Sequence, residues 1–352
     1  MKQKKILFYS NVPTPYQIDF LSELSIKNDV QAFFLWEKVE NLSWNSSGEK
    51  FVRVFKYGAT QREKREVLEA IKDFSPDFII IGGYRLPLVL RILKYCRKNR
   101  VRSSFWLEKP LPSKFIKGFF KKIYWIFFLP RVDVVFGIGK EAVICYKKYC
   151  KLIFNLPYSI NIDKYQFQKI NNKTNPIHFI FVGQLIKRKG IVELLKAFAN
   201  IPNHLAVLSI FGEGELLQLV NDYSMKYSNI EYHGFLQPEK LTEVYSKNDV
   251  FILPSKHDGW AVVVCEAMAC GLPIIGSQKT GAINEFIIDG ENGFICAATE
   301  ESITNSILKY VNSPELIQAH GKMNRHSIER SLASSVNAAS FVNKFISNVE
   351  DE

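Results

Sequence analysis

The chain has 352 residues, 47% of them hydrophobic and 23% charged, with a formal net charge of +11. That balance excludes a disordered chain and, at roughly 150 residues per domain, predicts two domains with sizeable cores. The positive charge calls for an anionic partner: nucleic acid, a phosphorylated ligand or an anionic membrane surface.

The opening "MKQKKILFYS" has a basic head and an apolar run too short for a signal peptide, and reads as a first strand. "VQAFFLW", "DFIIIGG", "VRSSFWLE" and "DVVFGIG" follow as short, β-branched and aromatic strands. Amphipathic helical patterns, among them "REKREVLEAIKDF" and "LPLVLRILKYCRKN", lie between them. The alternation predicts a parallel sheet covered by helices. Residues 155 to 176 break the pattern as a polar linker. A second βα series then runs from "IHFIFVG" to "LPIIGS", and residues from about 301 onward are helical. The expected domains are 1–160 and 161–329, with a last helix at about 330–352 packing back on the first. Ligands of such sheets bind at the carboxyl ends of the strands, here in a cleft between two facing domains. Cys96, Cys145, Cys150, Cys265, Cys270 and Cys296 include no Cys-x-x-Cys pair and read as reduced, buried thiols of a cytosolic protein.

Four turns of the second series hold the chemistry. "FVGQLIKRKG" puts Gly183, Gln184 and the basic cluster Lys187, Arg188 and Lys189 between a strand and a helix, a setting that suits a diphosphate. "FGEGELL" brings Gly212 and Gly214, and "GFLQPEKL" brings Phe235 and Leu236, to the ends of the next two strands. "HDGWAVVVCEAMACG" opens a helix near Gly259 or Trp260, with Asp258 at its entrance and Glu266 nearly two turns in. Amides at a helix start attract phosphate, and an ionised carboxylate suits a pair of sugar hydroxyls. Taken alone, the same residues also read as an Asp258 N-cap and a Glu266 surface charge. All four turns belong to one edge of one sheet.

These segments resemble the family 4 retaining glycosyltransferases of the GT-B fold, most strongly over 175–300. The family's E-x7-E and A-M-A-x-G-x-P read here as Asp258-x7-Glu266 and Ala267-Met268-Ala269-Cys270-Gly271-Leu272-Pro273. "PYSINID" (157–163) resembles its interdomain segment and "TGAINEFIIDGENGFI" (280–295) its closing signature. The resemblance implies an α/β protein of two doubly wound Rossmann-like domains. It implies that Glu266 holds the ribose of a nucleotide-sugar and Asp258 the donor sugar. The amides of Trp260, Ala261 and Val262 would lie near the diphosphate, and Lys189 would bind phosphate. Gln184 stands where the family has Arg, a charge that Arg188 or Lys187 could replace. Asp for Glu at 258 shortens the reach by one methylene.

All six His lie in the second domain or beyond, so the family's N-domain His has no counterpart. Glu108, at the end of "SSFWLEKP", is the candidate there; the alternative is a surface acid paired with Lys109. Tyr16 and Gln17 after the first strand, and Tyr84 and Arg85 in "GGYRLP", are candidates for the acceptor side, with loop capping the other reading of the first pair. No metal is expected: there is no Asp-x-Asp, and basic side chains with a helix start can stabilise a leaving diphosphate. The nucleotide-sugar is a substrate and no cofactor is implied.

Between Arg91 and Lys151, sixteen Lys/Arg face three Asp/Glu. In "PSKFIKGFFKKIYWIFFLPR" Lys114, Lys117, Lys121 and Lys122 would share one helix face beside a wide arc that includes Phe115, Ile116, Phe119, Ile123 and Ile126. That combination favours an anionic leaflet, unless the arc packs into the first domain. No nucleic-acid recognition module is present. The expectation is a cytoplasmic enzyme, peripheral at the inner face of the plasma membrane. It would move a sugar from UDP or GDP to a glycan or lipid-linked glycan in cell-surface polysaccharide or lipopolysaccharide synthesis, relying on leaving-group stabilisation and domain closure. The alternatives are a GT-B epimerase or phosphorylase, or a non-catalytic homologue scaffolding a glycan assembly complex.

Overall fold

The computed structural model describes residues 3–35, 49–55, 61–83, 86–110, 125–167 and 176–348. The chain divides into two compact units, Met1–Ser159 with Ser335–Glu352, and Ile160–Ser334.

The first unit is a seven-stranded parallel sheet of order β3-β2-β1-β4-β5-β6-β7. Its strands are β1 (Lys5–Ser10), β2 (Asp29–Phe34), β3 (Val52–Val54), β4 (Phe78–Ile81), β5 (Arg102–Glu108), β6 (Val134–Ile138) and β7 (Ile153–Asn155). Helices α1 (Pro15–Ser25), α2 (Gln61–Phe74), α3 (Leu86–Asn99) and α4 (Lys140–Tyr146) form the crossovers. Both sheet faces are covered, which explains why the strands are apolar without alternation. Leu7, Tyr9, Ile79, Ile81, Phe105 and Leu107 point to one face and pack with Val67, Ile71, Leu88 and Ile92 of α2 and α3. Phe136 and Phe154 point to the other and meet Phe341 and Phe345 of α12 (Ser335–Asn348), the ring centroids 5.4–6.5 Å apart. On that face Trp106 sits between Phe8 and Phe20.

The second unit is a six-stranded parallel sheet of order β10-β9-β8-β11-β12-β13. It contains β8 (Ile177–Val182), α5 (Ile191–Ala199), β9 (Ala206–Phe211), α6 (Leu217–Lys226), β10 (Ile230–Tyr232), α7 (Leu241–Ser246), β11 (Val250–Leu253), α8 (Val262–Ala269), β12 (Ile274–Gly276), α9 (Gly281–Phe286) and β13 (Gly293–Ile295). Helices α10 (Glu300–Asn312) and α11 (Glu315–Arg330) complete it. In each sheet the strand order reverses once, between β1 and β4 and between β8 and β11, which creates the crevice where such sheets take ligands.

One device recurs at the opposite edge. Asp77, Asp133 and Asp249 each precede a strand and accept the backbone N–H of Lys5, Ser103 and His178 on the neighbouring strand, at 2.7–2.9 Å. The carboxylate satisfies an edge donor and pins the register.

Three strands escape the sequence patterns: β3, β7 and β13. Each has three residues and lies at a sheet edge, too short for periodicity to register. The stretch read as a linker from 155 begins inside β7 and, among its described residues, holds a 3-10 turn, Ile162–Lys164, capped by Asn161. Tyr84, Arg85 and residues 111–124, with most of the basic aromatic segment, lie outside the described residues. Ile126 and Phe127 are 59% and 46% exposed, with the Arg131 guanidinium 3.5 Å from the Phe127 ring centre. No helix among the described residues is long and apolar enough to cross a membrane. All six cysteines are free; Cys145 and Cys150 are partly exposed rather than buried. Burial pushes the Cys96, Cys270 and Cys296 thiols up to about 12, far from a reactive thiolate.

Candidate active site

The carboxyl edge of the second sheet is laced by backbone contacts. Gly183 donates to Phe211, Leu185 to Glu213 and Gly212 to Gly234, so the loops after β8, β9 and β10 run side by side. Gly212 and Gly214 have φ of +145° and +157°, and a Cβ on either would strike the carbonyls of Gly183 or Leu185. Glycine is therefore required there for close backbone approach as well as for the turn. Gln184 is exposed at the loop tip, and Phe235 and Leu236 are half-buried after Gly234.

At the switch point the loops after β8 and β11 are joined by side chains. Lys187–Lys189 form a 3-10 turn that brings Lys189 inward, with only 8% of its surface exposed. Its ammonium forms an ion pair with Asp258 Oδ2. Arg188 Nη1 lies 3.5 Å from the same oxygen and donates to the His257 carbonyl at 2.8 Å. The Lys256 amide closes the seam on the Arg188 carbonyl. Both cations engage the same oxygen, Oδ2, of Asp258. Two cations against one carboxylate leave a surplus positive charge, an arrangement suited to an anion. Arg188, not Lys187, is the side chain that joins Lys189.

Asp258 is not a helix cap. The helix opens two or three residues later than expected, at Val262, with Ala261 as its N-cap residue in a left-handed conformation, φ +66° and ψ 79°. Glu266 is therefore little more than one turn into α8. The backbone of 258–260 is held by its neighbours: Asp258 donates to Lys279, Gly281 to Asp258 and Ala282 to Trp260. A Cβ at Gly281 would collide with the Gly259 carbonyl, so this approach also needs glycine. Trp260 is 1% exposed, its ring 5.9 Å from Phe286. Val262 and Glu266 are half-buried. Tyr245, fully buried on α7, puts its hydroxyl 3.4 Å from Glu266 Oε2, a neighbour the sequence patterns did not disclose.

In the first unit, Glu108 ends β5 and Tyr16 lies in the first turn of α1. Burial pushes the Tyr16 phenol up to about 12, with a smaller push from the Glu108 charge and against hydrogen bonds from Thr14 and Tyr158. Tyr16 and Tyr158 rings lie 4.4 Å apart. Lys109, the partner that the alternative reading gave Glu108, pairs with Glu141 at 2.8 Å. Gln17 is 4% exposed; it accepts from the Thr14 amide at 3.4 Å and donates to Ser10 Oγ at 3.3 Å, which is the loop-capping role.

Residues 163–327 match the family described as glycosyl transferases group 1. An uncharacterized glycosyltransferase of Methanocaldococcus jannaschii is 32% identical over 178 residues, 49% of this chain and 44% of that protein. The capsular polysaccharide biosynthesis glycosyltransferase CapM of Staphylococcus aureus is 27% identical over 201 residues, 54% of this chain and 53% of CapM. The chain thus spans about half the length of the curated relatives it matches. The crystal structure of Anabaena HepE in complex with UDP and glucose superposes with a TM-score of 0.73 at 14% identity, over 98% of this chain and 100% of HepE. Residues 163–327 are thus similar to the glycosyl transferases group 1 family, and the two Rossmann-like units have the GT-B fold.

Proposed function

We propose that the chain is a retaining, metal-independent glycosyltransferase that takes a sugar from UDP or GDP and adds it to a glycan or lipid-linked glycan. The observation that carries this reading is the Lys189–Asp258 pair with Arg188 at the β8–β11 switch point, inside the matched segment. The glucose and UDP named for HepE, and the capsular polysaccharide named for CapM, favour the substrate class.

In this reading Lys189, Arg188 and the amides at the start of α8 neutralise the leaving diphosphate, with Arg188 standing in for the charge that Gln184 lacks. Asp258 Oδ1 accepts from the donor sugar while Oδ2 stays with the cations. Glu266 takes the ribose hydroxyls. The glycines at 183, 212, 214 and 259 let backbone reach the nucleotide, and Phe235 and Leu236 border the base. The acceptor hydroxyl attacks the anomeric carbon on the face from which the diphosphate departs. The donor C–O bond breaks, the new glycosidic bond forms, and the acceptor proton passes to the leaving phosphate oxygen. Glu108 and Tyr16 are assigned to the acceptor side, together with Tyr84 and Arg85.

A thermal-shift screen of nucleoside diphosphates and their sugars tests donor binding, because a ligand at 100 times its Kd adds about 2.7 kcal/mol of stability. Acceptor-dependent release of nucleoside diphosphate, unaffected by EDTA, is expected of the transferase. A scaffold would tolerate Glu266→Ala; the transferase should lose turnover by orders of magnitude. We assign the chain to the cytoplasmic leaflet through the basic, aromatic stretch that ends in the exposed Ile126 and Phe127. Liposomes with anionic lipid should sediment the protein and neutral ones should not; equal partition rejects that assignment.

A further inference from the structure

We infer that Tyr245 is a positioning residue for Glu266, fixing its carboxylate for the ribose hydroxyls of the donor; this rests on the donor reading above. Tyr245 projects from α7, a helix that contributes nothing else to the proposed donor site. Its side chain is fully buried, wedged against Phe251 of β11 with ring centroids 6.1 Å apart. A phenol placed so deeply needs a partner for its hydroxyl. Two acceptors stand equally near, the Val263 carbonyl and Glu266 Oε2, each at 3.4 Å. The carbonyl lies within α8, where the ladder of the helix already uses it. The carboxylate is charged, and a charge-assisted bond is the stronger of the two. With the distances equal, the charge directs the hydroxyl proton toward Oε2. Burial beside the Glu266 charge also holds the Tyr245 phenol well above its ordinary range, so it remains a donor at any working pH.

The benefit is one of order. A glutamate has three side-chain torsions, and a free carboxylate must lose that freedom each time it grips a diol. Held at Oε2 by a rigid aromatic side chain, Glu266 presents its remaining lone pairs in one orientation before the ligand arrives. Helix α7 would thus shape the ribose site without touching the nucleotide.

The test is a ratio that a mere packing role would not move. Binding of UDP and of 2′-deoxy-UDP, with the corresponding GDP pair, is measured by calorimetry on the wild-type chain, Tyr245→Phe and Glu266→Gln. Tyr245→Phe keeps the ring and its contact with Phe251. It should lower the ribo-over-deoxy preference about fivefold, the worth of one net hydrogen bond, while the deoxy affinity stays unchanged. Glu266→Gln should abolish most of the preference. If Glu266→Gln abolishes it and Tyr245→Phe retains the wild-type ratio, the inference fails and the donor reading stands. If Glu266→Gln also retains the ratio, the donor reading fails and takes the inference with it. Should Tyr245→Phe melt below the assay temperature, Tyr245→Met gives the same measurement with a side chain that adapts to fill the space.

Discussion

The ammonium of Lys189 and the carboxylate of Asp258 form an ion pair across the β8–β11 switch point, each side chain only 11% exposed. Removing one member of so enclosed a pair strands the other. Asp258→Ala leaves Lys189 without its carboxylate and should destabilise the second unit by about 3–5 kcal/mol. Lys189→Ala leaves Asp258 with Arg188 at 3.5 Å and should cost roughly 1–2 kcal/mol. Urea denaturation of both variants and of the double variant measures the order and the coupling. Equal losses would show that Arg188 contributes nothing to the cluster.

Glycines at 190 and 234 both have positive φ, +75° and +82°, but different surroundings. A Cβ at Gly190 would enter the Pro254 carbonyl, while Gly234 has nothing within 4 Å of that position. Gly234→Ala should cost about 1 kcal/mol of backbone strain alone. Gly190→Ala should cost more, because the seam between the β8 and β11 loops must open. Thermal melts compare them, and binding of nucleoside diphosphate should fall mainly in the Gly190 variant.

Ala261 carries a left-handed conformation at the mouth of α8 that a residue with a Cβ rarely adopts. Ala261→Gly should release about 1 kcal/mol of strain and raise the melting temperature of the second unit. Ala261→Val should lower it. A neutral glycine variant would mean that entropy lost on folding cancels the relief.

His320 is 2% exposed, with Nδ1 2.8 Å from the Tyr310 hydroxyl. Burial holds its pKa below the ordinary 6.5, against a hydrogen bond with the Gly290 backbone that favours the charged ring. The unfolded chain therefore binds the proton more readily than the native one. Stability is full above pH 6.5 and declines as pH falls from there to the depressed value, by at most about 1.4 kcal/mol per pH unit. Chemical denaturation between pH 7.5 and 5 should show this slope in the wild-type chain and a shallower one in His320→Gln.

Much of the architecture was legible in the sequence because both sheets are buried on two faces. "KILFYS" and "LPLVLRILKYCRKN" coincide with β1 and α3 residue for residue. Lys189 and Asp258 stand out in the sequence because charge next to glycine at a strand end is otherwise unexplained, and the structure joins the two in an ion pair. Other features depend on contacts distant in sequence. Tyr245 reaches Glu266 by helix packing, and Tyr16 meets Tyr158 across 142 positions of chain. The left-handed Ala261 was hidden because nothing in "GWAVVV" marks a turn that an alanine disfavours. The register-setting aspartates before β4, β6 and β11 read simply as polar residues preceding apolar runs.

The first unit is assembled from segments made at different times. Helix α12, whose Phe341 and Phe345 cover Phe136 and Phe154, is translated only after residues 160–334. At elongation rates of about 5–20 residues per second, the nascent sheet waits roughly 10–35 s with that aromatic face uncovered. The inserted unit, contiguous in sequence, can mature meanwhile. Chaperone demand during synthesis should therefore concentrate on the first unit rather than on the inserted one.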